Sequence, residues 1–101
     1  MAEGRHIQEL MILYAGGVNG ALLLAGSAVE AKVGATRMED RKVLSVFNLT
    51  GATIYWGWSS AGANATDGFP ILNNTGLIWT IDGATPIYLH GTGDVRVQEA
   101  K

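Results

Sequence analysis

The sequence predicts an all-β chain, a small antiparallel β-sandwich of jelly-roll or immunoglobulin-like type with six to eight strands, preceded by an apolar N-terminal arm. Three observations lead there. Short runs of alternating apolar and polar residues recur from residue 27 onward. Turn signals separate them every 6–12 residues, which is the spacing of a sandwich or small barrel. Glycine accounts for 14 of 101 residues against two prolines, a composition suited to many turns and poorly suited to a helical bundle. The length holds one core. We divide it into an arm, residues 1–26, and a sandwich, residues 27–101.

Within the arm, Ile7, Leu10, Met11 and Tyr14 fall on one helical face, yet the same residues also suit a strand running into Asn19-Gly20, a hairpin-turn dipeptide. Residues 10–29 carry no charge and approach the length of a membrane span. Four glycines and Asn19 argue against a spanning helix, and the flanking Glu3 and Glu9 argue against a cleaved leader.

Val29, Ala31 and Val33 alternate with Glu30 and Lys32 as a strand. RMEDRK, residues 37–42, reads as an exposed charged connector. Val43–Leu49 is apolar on both faces except at Ser45 and Asn48, as in a central buried strand. Thr53–Trp58 places Ile54, Trp56 and Trp58 on one side. A small-residue loop, SSAGANATDG, follows at 59–68, and Pro70 confines Phe69–Leu72 to an edge. Leu77, Trp79 and Ile81 alternate, Pro86 opens a strand to His90, Gly91-Thr92-Gly93 turns, and Val95 and Val97 alternate in the last strand. The expected core is Val43 or Leu44, Val46, Phe47, Ile54, Trp56, Leu77, Trp79, Ile81, Ile87, Leu89, Val95 and Val97.

The chemistry-bearing residues are few. With no cysteine there is no disulfide, thiolate metal site or thiol nucleophile. His6 and His90 are the only histidines, and no serine sits in a G-x-S-x-G elbow. Asp67, Asp82 and Asp94 each adjoin a glycine, the setting of a turn aspartate. Gly91-Thr92-Gly93 lacks the third glycine and the following helix of a phosphate loop. No cofactor and no metal is expected, and the chain reads as a non-enzyme. Seven basic residues against nine acidic ones give no pull on nucleic acid. Asn48, Asn64 and Asn73 each begin an N-x-[ST] triplet, which chance alone supplies.

Charge is sparse and unevenly placed. Charged residues make up 16% of the chain, against about 25% in an average domain. Between Lys42 and Asp82 the only charge is Asp67, and that stretch holds all three tryptophans and both phenylalanines. Such a stretch is heavily buried, covered by a partner, or both. The candidate assembly residues are Ile7, Leu10, Met11, Leu13, Tyr14, Leu22, Leu23 and Leu24 of the arm, with Trp58 and Leu77 of the sandwich. Trp56, Trp58 and Trp79 read first as filling the sandwich core or an oligomer seam, and otherwise as an aromatic platform for a sugar or a single-stranded base.

Arg41–Asn48, Ile54-Tyr55-Trp56-Gly57, Gly68-Phe69-Pro70-Ile71, Pro86-Ile87-Tyr88 and Val95–Glu99 follow one another in an order and spacing that resembles a small β-sandwich module of tailed-bacteriophage virion proteins. Those proteins include capsid decoration (cement) proteins, head fibres and tail-fibre bases. Val29–Gly34 is similar to the strand that precedes this block, so the resemblance covers about three quarters of the chain, and residues 1–26 lie outside it. Leu77 and Ile78 stand where such modules often have a polar residue, and Trp58 adds apolar surface; both changes point to burial against a neighbour. The resemblance implies a non-enzymatic capsid decoration protein, located in the virion and assembled in the host bacterial cytoplasm. It would contact the major capsid protein or other virion proteins and its own copies, most simply as a homotrimer, with no nucleic-acid or membrane partner. The alternative it implies is a tail or fibre adsorption module that binds host-surface glycans through exposed tryptophans.

Overall fold

A computed structural model describes residues 16–101. Eight strands occur in this part: β1 (Gly17–Ala25), β2 (Val29–Glu30), β3 (Val43–Asn48), β4 (Ile54–Gly57), β5 (Phe69–Ile71), β6 (Gly76–Thr80), β7 (Tyr88–His90) and β8 (Thr92–Ala100). They form two antiparallel four-stranded sheets, ordered β1-β8-β3-β6 and β2-β7-β4-β5. The fold is the all-β sandwich that the alternation predicts.

β8 organises the first sheet. It pairs with β1 from Gly17↔Ala100 to Ala25↔Thr92, and with β3 from Val43↔Ala100 to Asn48↔Val95. The period of two along β8 turns Val95, Val97 and Glu99 inward, while Arg96 is exposed. Leu24, Leu44, Val46, Ile54, Ile71, Ile87, Leu89, Val95 and Val97 meet between the sheets, with Leu22, Val29, Val33, Trp56, Trp79 and Ile81 packed around them.

The sheets are joined at a corner. β7 in one sheet becomes β8 in the other across Gly91 alone, and β1 gives way to β2 just beyond Gly26, whose N–H donates to the Gly91 carbonyl at 2.8 Å. A paired ribbon thus switches sheets as a unit. Gly91 is required by close approach, because a Cβ there would lie 2.6 Å from Ile54 Cγ2.

Several expectations need correction. The boundary between residues 26 and 27 is not a domain boundary. Residues 17–25 are β1, paired along their whole length with β8. Asn19-Gly20 lies inside that strand, because nine residues of pairing outweigh a local turn preference. Leu24 is only 1% exposed and belongs to the core, so it is not free for assembly. Phe47 and Leu77, expected in the core, are exposed. Phe47 shares the outer face of its sheet with Gly76 and Arg96, while Leu77 sits on the edge strand β6. The turn expected at residues 91–93 contracts to Gly91, and the strand expected over 29–33 contracts to Val29–Glu30.

The connector at 37–42 is not wholly exposed. Arg41 and Glu99 are each 1% exposed and joined at 2.9 Å. Arg41 also donates to the carbonyls of Asp82 (3.1 Å) and Thr85 (2.7 Å), and Glu99 accepts the N–H groups of Val33 and Met38, each at 3.2 Å. One ion pair thereby fastens two long connections to the end of β8.

Asn48 is a second buried polar anchor. Its Nδ2 donates to the carbonyls of Ala52 (2.8 Å) and Ile71 (2.9 Å), and its Oδ1 accepts from Thr50 N (2.9 Å) and Thr50 Oγ1 (2.8 Å). Asn48→Ala is expected to destabilise the domain by about 1–3 kcal/mol, because it strands buried groups without partners. Chemical denaturation should show a lower midpoint at an unchanged slope.

Candidate functional site: an aromatic cleft at the open side of the sandwich

The side of the sandwich away from the corner ends in the edge strands β6 and β5. Trp56 of β4 and Trp79 of β6 meet here across the two sheets, with ring centroids 5.1 Å apart and planes at 78°. Phe69 opposes Trp56 in the β4–β5 register, at 5.7 Å and 55°. Trp58, two residues beyond Trp56, meets it edge to face at 5.2 Å and 81°. Trp56 and Trp79 are partly buried, whereas Trp58 is 60% and Phe69 68% exposed.

The loop at 59–68 lies beside these rings. It folds tightly against β4: a Cβ on Gly57 would lie 2.7 Å from the Gly62 carbonyl carbon. Ser59 Oγ and the Ser59 carbonyl both accept from Gly62 N, at 3.1 Å each. Asn64 Oδ1 accepts from Thr66 N (2.8 Å) and Asp67 N (2.7 Å), and Asn64 Nδ2 donates to the Ala61 carbonyl at 2.7 Å. These side-chain bonds replace regular structure. They fix Asp67 beside a cleft of about 400 Å³ lined by Trp56, Gly57, Trp58, Ser59, Gly62, Asp67 and Phe69.

The predicted assembly residues do not converge. Leu23, 73% exposed on β1, and the partly buried Leu22 lie at one edge of the first sheet, while Leu77 lies at the other, the side of the exposed Trp58. Ile7, Leu10, Met11, Leu13 and Tyr14 lie outside the described residues. The tryptophans form a corner of steeply inclined rings, Trp56 and Trp79 partly buried and Trp58 exposed. Phe69 and Asp67 complete that corner; the sequence reading placed one at an edge and the other in a turn without connecting them. The β4–β5 register that joins Phe69 to Trp56 depends on how the intervening loop folds.

Elsewhere the polar residues serve turns. Asp82 Oδ1 accepts from Ala84 N and Thr85 Oγ1, each at 3.0 Å, and Asp94 pairs with the neighbouring Arg96. His90 is half-buried opposite Tyr55 of β4. Among the described residues no three His, Cys, Asp or Glu side chains group as metal ligands, and no helix is long and apolar enough to cross a membrane.

No family model matches the chain, and no curated protein matches it. A search of solved structures found a chain from work describing Bacillus endospore appendages as a novel family of disulfide-linked pili. It is 13% identical, with a TM-score of 0.45 over 84% of this chain and 85% of that one. A likeness that slight transfers no function.

Proposed function

We propose that the chain is a non-enzymatic structural subunit of a phage virion, a capsid decoration protein that acts as a homo-oligomer. What supports assembly is β1. It is an edge strand of nine residues, GVNGALLLA, with no charge and no proline, and β8 is its one partner among the described residues. Edge strands of soluble monomers are usually blunted by lysine, proline, a bulge or shortness. β1 has none of the first two, runs regularly against β8, and presents the exposed Val18 and Leu23. Among the described residues this edge of β1 is unpaired, and an edge of this kind pairs with another strand or is covered. The virion setting comes from the sequence resemblance, and a trimer suits a three-fold shell position.

Sedimentation of the full chain at micromolar concentration is expected to give a multiple of 10.7 kDa. Leu23→Lys, on an exposed position, should leave the fold intact and shift the protein towards monomer. A wild-type monomer would refute assembly through β1. Copy number in purified particles tests the setting separately: hundreds of copies mean shell, and a handful mean tail.

A further inference from the structure

The aromatic cleft lies at the opposite edge from β1, so it remains open when β1 is paired. Its lining combines three aromatic residues with one acidic residue and no basic one. Asp67 is the only charged residue between Lys42 and Asp82, and among the described residues it joins no ion pair. An anion would find no donor side chain of opposite charge here. A small metal ion would have to give up its hydration for apolar walls. A saccharide would stack on one ring face, and the steep angles of 81° and 55° to Trp56 limit such stacking to a single ring.

We propose that this cleft binds a methylated ammonium group of the choline type. Such a cation is compact and weakly hydrated. Its methyl groups contact several ring faces at once, its charge is attracted by the ring quadrupoles, and Asp67 adds an opposite charge. The volume of about 400 Å³ lies within the roughly 300–1,000 Å³ typical of small-molecule sites. Part of the site is preorganised: Trp56 packs against Trp79, and the Asn64 hydrogen bonds hold the loop that carries Asp67, which lowers the ordering cost of binding, while Trp58 and Phe69 stay exposed.

The test is a titration of the full chain, followed by tryptophan fluorescence and calorimetry. The probes are choline, tetramethylammonium, the neutral tert-butyl analogue of choline, and glucose and N-acetylglucosamine. Choline and tetramethylammonium are expected to give saturable binding, with the neutral analogue about tenfold weaker because it keeps the shape and loses the charge. Trp58→Ala, at an exposed position, should weaken choline about tenfold. Asp67→Asn leaves the rings and the backbone bond to Asn64 in place and should weaken it severalfold, chiefly at low salt. Equal affinity for the neutral analogue, saturation by a sugar in place of choline, no binding by either cation, or choline binding unchanged in both variants would each overturn the proposal.

Discussion

Arg41→Ala is expected to destabilise the domain by about 3–5 kcal/mol, the usual effect of removing one partner from a buried ion pair. The loss of the Arg41 guanidinium leaves the Glu99 carboxylate in the core with only the N–H groups of Val33 and Met38 as donors. It also leaves the carbonyls of Asp82 and Thr85 without their Arg41 donor. For a domain of this size the melting temperature should fall by on the order of 15–30 °C. Glu99→Ala should act similarly, since it strips the acceptor from Arg41 and from both backbone donors. Salt should change these effects little, because a buried pair is poorly screened. The apolar double replacement, Arg41→Met with Glu99→Leu, separates burial from pairing. Among the described residues Arg41 Nε is buried without a hydrogen-bond partner, so the pair is not an optimal use of the space. The double variant should recover much of the lost stability. If both single variants melt within a few degrees of the wild type, the ion pair does not hold the two connections.

This pair also shows where sequence reasoning stops. Local pattern located strands over 43–49, 53–58, 69–72 and 77–81 and around Val95–Val97 to within a residue or two, because it needs nothing beyond the segment itself, but β8 begins at Thr92, inside the turn expected at 91–93. Pro70 placed Phe69–Ile71 at an edge for an equally local reason, and β5 is an edge strand. Arg41 stands in a run of charges, RMEDRK, that reads as solvated. Its burial depends on a glutamate 58 residues away. Glu99 occupies an inward position in β8, in phase with Val95 and Val97. An ionisable residue in that phase was the available sign that a cationic partner had to be found. The cleft was half legible. Trp56 and Trp58 share a strand face at a spacing of two, but Phe69 and Asp67 reach them through the β4–β5 register and the Asn64 turn.

Removing residues 1–26 is expected to unfold the protein, although the sequence alone divides the chain there. The arm carries nine large apolar and aromatic residues, and a sandwich drawn from Val29 onward reads as complete without them. β1 reverses that expectation. Its loss would strip nine register positions from β8 and turn a central strand into an edge. It would remove Leu24 from the core and Leu22 from its margin. It would also break the Gly26–Gly91 hydrogen bond at the corner, exposing the place where Ile54 packs on Gly91 and Leu24. Leu24→Ala alone should destabilise by about 2–5 kcal/mol, against a total of about 5–15 kcal/mol for a typical domain. The truncation adds the lost backbone pairing to that, so residues 27–101 alone should give a poorly dispersed proton–nitrogen spectrum and no cooperative melt. The full chain bearing Leu24→Ala should still melt cooperatively, at a lower temperature. A well-dispersed, cooperatively melting fragment 27–101 would show that β1 is a detachable strand, and the open edge assigned to assembly would then belong to β8.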